Sequence, residues 1–145
     1  MIEIEIDDEA WRVLDDIEDR VQQAASLALD AAGVVTVSLT DDDTVADLNQ
    51  RFRSKSGPTN VLSFPAPDTA RPFLGDVILA YGVCAREAAD QDKSLADHLS
   101  HLVVHGVLHL KGHDHLEDAE AEAMESLERT LLAKLGVKDP YAVPR

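Results

Sequence analysis

The chain has 145 residues, 45% of them apolar, which suits one domain with a sizeable core and excludes disorder by composition. Its formal net charge of −15, from 28 Asp and Glu against 13 Lys and Arg, excludes bulk attraction to nucleic acid or to an anionic membrane. No apolar run has the length of a bilayer span, the acidic alternating start is unlike a signal peptide, and a single cysteine, Cys84, forbids an intrachain disulfide, so the expected setting is cytoplasmic.

Ile2, Ile4 and Ile6 alternate with Glu3 and Glu5, which predicts a half-buried strand. Asp7 or Asp8 then caps a long amphipathic helix on which Trp11, Leu14, Ile17, Val21, Ala25 and Leu29 face inward, closing at Gly33. Residues 34–39 read as a second strand. A helix starting at 41–43 follows, with Val45, Leu48 and Phe52 inward. From 48 to 67 no acidic residue occurs, yet Arg51, Arg53 and Lys55 do. Dipole complementation at a helix end explains one or two of these charges, and the rest mark an anion-facing segment. Ser56-Gly57-Pro58 turns the chain into a short strand at 60–64, which its flanking prolines place at a sheet edge. A loop over 65–74 leads to Gly75-Asp76 and a fourth strand at 77–81. Asp76 is either a turn residue or a carboxylate that orients a metal-bound histidine.

Residues 83–89 read as helical, with Cys84 a small buried hydrophobe. Ser94 and Asp97 cap the next helix, 95–111, which is apolar on most sides and therefore buried. A last amphipathic helix spans 117–135 with Met124, Leu127, Leu131 and Leu132 inward, and the tail beyond Gly136 is expected to fray.

The buried helix ends in His105-Gly106-Val107-Leu108-His109-Leu110-Lys111-Gly112-His113-Asp114-His115. His105 and His109 are four apart and share a helical face. Gly112 suits the left-handed conformation that ends a helix, and the turn it makes returns His115 to the same point. Three neutral imidazoles form a divalent-metal site, and a three-ligand site keeps a position for water or substrate. The register matches the metzincin peptidase frame H-E-x-x-H-x-x-G-x-x-H, except that Gly106 replaces the general-base glutamate. His98 and His101 lie on the same face and read as hydrogen-bonded cleft or core residues; His113 faces solvent or touches substrate.

Together with Pro58-Thr59-Asn60-Val61-Leu62-Ser63-Phe64-Pro65 and Leu74-Gly75-Asp76, in that order, this motif makes the chain resemble the YbeY family, the bacterial rRNA-maturation endoribonucleases, over nearly its whole length. Two positions differ from many members, Asn60 (often aspartate) and His113 (often tyrosine). The resemblance implies a single α+β domain, 1–145, with a mixed sheet of about four strands covered by about five helices and a metzincin-like histidine helix in the centre. It implies one divalent ion per chain, zinc by ligand type, on His105, His109 and His115, with Arg53 as the functional arginine. Arg51, Lys55, Asp76 and His113 are the further candidates near substrate or ligands. The implied activity is metal-dependent cleavage of single-stranded RNA in rRNA processing, 16S 3′-end maturation and ribosome quality control, with the ribosome or its small subunit as partner and no membrane. The acidity of the chain favours action on ribosome-associated RNA over tight binding of free RNA. The alternatives are a metzincin-like peptide or amide hydrolase and a non-catalytic ribosome-assembly factor with a structural metal. Three histidines also accept nickel, copper or iron.

Overall fold

The computed structural model describes residues 1–112 and 117–141. Period-two patterning produces four strands: β1 (Ile2–Ile6), β2 (Val34–Thr40), β3 (Val61–Pro65) and β4 (Phe73–Ala80). They form one mixed sheet in the order β1-β2-β4-β3. β1 and β2 are parallel, β2 and β4 are parallel, and β3 runs antiparallel to β4 at the edge, where its prolines do no harm to a ladder. Five α-helices accompany the sheet: α1 (Ile17–Leu29), α2 (Asp42–Arg53), α3 (Tyr81–Asp90), α4 (Leu95–Leu110) and α5 (Asp118–Lys134). This is the expected α+β architecture.

The two faces of the sheet carry different loads. Val35, Val37 and Leu39 of β2 and Val77 and Leu79 of β4 point into the main core, which they share with α1, α4 and α5. α2 covers the other face over β3 and β4, through Val45 and Leu48 against Leu62, Phe64 and Ile78. Helix α4 is the central element, in contact with α1, α3, α5, β3 and β4. Ser94 starts it by accepting the Asp97 N–H on its hydroxyl at 3.0 Å. Gly112, at φ +97°, follows its last turn in the left-handed conformation expected there.

Five expectations are corrected. The helix over 11–29 is two pieces, a 3-10 turn at Glu9–Val13 and then α1. Trp11 causes the break: it is fully buried, its indole N–H donates to the Thr40 carbonyl at 3.0 Å, and its ring meets Tyr81 edge-on at 5.3 Å. The fourth strand begins at Phe73, not 77, because the ladder to β2 continues back to Phe73 and that to β3 back to Gly75. Tyr81 opens α3 instead of closing that strand. Phe52 faces outward, 66% exposed, although Val45 on the same helix is buried. As far as Tyr141 the tail does not fray, since Asp139 and Tyr141 bond back onto α5, and residues 142–145 fall outside the described residues.

Candidate metal centre

The exposure of α4 isolates its histidines. His101, His105 and His109 are half-buried, while every residue between them is buried. They recur at four-residue steps, so they form the one stripe of the helix not pressed into the core. His105 and His109 rings stand 4.7 Å apart, edge to face, and His101 is farther from His105 at 6.2 Å. His98 is 3% exposed and points elsewhere, its Nε2 lying 2.9 Å from Glu87. Burial pushes the His98 pKa down, more than the Glu87 hydrogen bond raises it.

Glu128 of α5 closes the stripe from the side. It is fully buried, yet burial does not neutralise it. Burial alone would raise its pKa, but hydrogen bonds from His101, His105 and Tyr141 outweigh this and bring it to about 2. An ionised carboxylate only accepts. His105 Nδ1 lies 2.5 Å from Oε1, His101 Nε2 lies 3.3 Å from Oε2, and the Tyr141 hydroxyl donates to Oε2. Among the described residues, His101, His105 and Glu128 are the group whose donor atoms all lie within 4.8 Å of one another. Two ligands of one tetrahedral ion, each about 2.0–2.1 Å from it, stand roughly 3.3 Å apart, so the 2.5 Å contact is a hydrogen bond and not a shared coordination edge. Periodicity did not single out Glu128, although a signal was present: it stands four residues from both Met124 and Leu132 on the inward stripe of α5, where a carboxylate needs a partner.

Gly106 lies between the two histidines for a packing reason. A Cβ there would meet Val77 Cγ1 at 2.6 Å and Ser63 Oγ at 3.2 Å, so α4 approaches the sheet more closely than any side chain allows. The glutamate of the peptidase frame has no room at this position. Ser63 fills the contact instead, donating its hydroxyl to the Gly106 carbonyl at 3.1 Å. On the outer side of that edge strand, Arg53 donates from Nη2 to the Ser63 carbonyl at 2.7 Å and lies 5.5 Å over the Phe64 ring. Asp41 caps the start of α2, and the αL residue Ser54 ends it, which delivers Arg53 to this edge. Arg53 and the histidine helix thus share one residue, Ser63.

The remaining candidates lie elsewhere. His113 and His115 fall outside the described residues. Arg51 is paired with Asp47 at 3.3 Å on the surface of α2, and Lys55 is exposed beyond its end. Asp76 is not a turn residue, and among the described residues it is not a partner of a histidine. It sits inside β4, opposite Thr36 and Phe64, on the face away from Val77 and α4. Burial, with the charge of Glu5 beside it, raises its pKa.

A four-stranded mixed sheet crossed by a buried helix, with a half-buried histidine stripe held by a buried carboxylate, defines the class: an α+β protein built around a helix of candidate metal ligands. The family model described as Endoribonuclease YbeY matches residues 2–136. The Endoribonuclease YbeY of Maricaulis maris is 50% identical, over 97% of this chain and 91% of the relative. That of Paramagnetospirillum magneticum is 52% identical, over 97% of this chain and 94% of the relative. The solution structure of TM1509 from Thermotoga maritima matches the fold with a TM-score of 0.60 at 24% identity, over 99% of this chain and all of that one. The chain belongs to the endoribonuclease YbeY family.

Proposed function

We propose that the chain is a metal-dependent endoribonuclease that cuts single-stranded RNA during rRNA processing, at 16S 3′ ends, on or near the small ribosomal subunit in the cytoplasm. The observation that carries the reading is the position of Arg53, bonded to Ser63, which in turn bonds the backbone between His105 and His109. A phosphate held by Arg53 at this edge lies beside the histidine stripe. The donor set fits a borderline divalent ion: neutral imidazoles, one of them held by a carboxylate. We assign zinc, one per chain, to His105, His109 and His115. When bound, the ion supplies Lewis-acid chemistry at the phosphodiester and makes a water more acidic.

The chain's own residues do the rest. Arg53 clamps a phosphate oxygen and offsets charge that grows during cleavage. Phe52 projects beside it, 66% exposed and 5.7 Å from the Phe64 ring, and offers an aromatic face to an unpaired base. A stacked base must be single-stranded, which accords with the proposed specificity. The segment from 48 to 67 carries no carboxylate, so this stretch adds no repulsion of its own to an approaching anion in a chain of net charge −15. Peptide hydrolysis is disfavoured because Gly106 leaves neither a carboxylate nor space for one.

The test is elemental analysis of the purified protein beside a chelator-sensitive cleavage assay on single-stranded and duplex RNA. We expect about one zinc per chain, cleavage of the single strand only, and loss of both metal and cleavage in His109→Ala. A His109→Ala protein that keeps its metal and its activity would overturn the site. No helix among the described residues is long and apolar enough to cross a membrane.

A further inference from the structure

We infer that Glu128 is a positioning residue of the metal centre, whose carboxylate keeps the proton of His105 on Nδ1 and so turns Nε2 toward the ion. This rests on the reading of His105 as a ligand. A neutral imidazole has one N–H and one lone pair, and which nitrogen carries which is decided by the partner of the other. Here Nδ1 lies 2.5 Å from Glu128 Oε1, and the other oxygen of the same buried carboxyl group is met by His101 Nε2 and the Tyr141 hydroxyl, a ring of donors that leaves Oε1 to accept from Nδ1. The lone pair of the neutral ring is therefore on Nε2.

The carboxylate is itself held. Its second oxygen is met by His101 and accepts from the Tyr141 hydroxyl, so this fully buried carboxylate cannot rotate away without abandoning two partners. Tyr141 is kept there by its surroundings: Arg129 lies 5.4 Å over its ring and also pairs with Asp139 at 3.1 Å. The Asp139 side chain in turn accepts the Tyr141 backbone N–H at 2.8 Å. A C-terminal segment beyond the stretch matched by the family model thereby fixes the orientation of a ligand on α4. His101 has a place in the same scheme as a donor to Glu128, and its hydrogen-bond geometry does not require it to bind the ion.

The first test uses the wild-type protein stripped of metal and labelled with nitrogen-15. Long-range proton–nitrogen correlation reads each histidine tautomer directly. We expect the His105 proton on Nδ1; a proton found on Nε2 overturns the proposal. The second test measures zinc affinity by competition with a chromophoric chelator. Glu128→Gln should bind zinc about 10–100-fold more weakly, and undiminished affinity in a folded variant also overturns the proposal. The wild-type measurement needs no substitution, so it decides the matter even where Glu128→Gln fails to fold. His105→Ala separates the two levels of the argument. Wild-type zinc affinity in His105→Ala removes the ligand assignment, whereas loss there with retention in Glu128→Gln removes only the role of Glu128.

Discussion

Arg53 and Phe52 are neighbours in sequence with different proposed tasks, and their substitutions should separate binding from chemistry. Arg53 reaches the sheet edge by a 2.7 Å bond to the Ser63 carbonyl, and its remaining N–H groups can meet a phosphate. Removing one charge-stabilising donor lowers turnover by about 10²–10³-fold. We expect Arg53→Ala to show that loss in kcat under saturating RNA, with zinc content unchanged by elemental analysis. Arg53→Lys should fall between, because a point charge replaces a planar fork. Phe52→Ala removes a stacking face worth about 1–3 kcal/mol per base. It should weaken single-stranded RNA binding in fluorescence titrations by that amount. The thermal midpoint should barely move, because the ring is 66% exposed and buries little. Unchanged affinity would remove Phe52 from the binding surface. The sequence placed Phe52 inward because it shares a helix with Val45 and Leu48; only the packing against Phe64 shows that the end of α2 runs past the core.

Helix α4 is where local sequence and global fold agree most closely, since its apolar surround leaves one stripe for polar chemistry. Its fit to the sheet depends on Gly106. Glycine within a helix is less favourable than alanine by about 1 kcal/mol, so the position must repay that through close approach. Gly106→Ala puts a methyl 2.6 Å from Val77 Cγ1, and that β-branched side chain sits in a fully buried strand position. We expect net destabilisation of about 1–3 kcal/mol in urea unfolding, together with weaker zinc binding as His105 and His109 shift. A variant as stable as the parent would show that the helix can lift off without penalty. The break at Leu14 was not legible by the same logic. Apolar spacing continues from Trp11 through Val21, and periodicity cannot register that the Trp11 indole is pulled to the Thr40 carbonyl.

At the scale of the whole molecule, the core that supports the site is apolar and continuous. α1, α4, α5 and one sheet face share a continuous cluster of buried Val, Leu, Ile and Ala, as the low aromatic content anticipates. Stripping the metal with a chelator should therefore abolish RNA cleavage while leaving the far-ultraviolet dichroism near its starting value. Collapse of the helical signal would show that the ion is structural. Cys84 reports on the same core. It is fully buried, and burial, with the charges of Glu87 and Asp42, pushes its thiol up to about 12 from 9.0. The folded chain thus holds this proton more tightly than the unfolded one, so the associated stability is complete below pH 9.0 and is lost as the pH rises toward 12. Cys84→Ala should lose stability less steeply over that interval in denaturant titrations. Native wild-type protein should also resist thiol reagents that label it after unfolding.

By itself the sequence determined the order and kind of the four strands and five α-helices, though not all of their bounds, along with the burial of α4 and the shared face of His105 and His109, because period-two and period-3.6 patterns are local properties of the chain. Only the tertiary structure decided which side of the sheet Asp76 takes, that Glu128 and Tyr141 meet the histidines from a helix and a tail far along the chain, and that Ser63 joins Arg53 to α4. Those contacts depend on how separate elements dock, and a carboxylate on an apolar stripe does not reveal which distant donor will satisfy it.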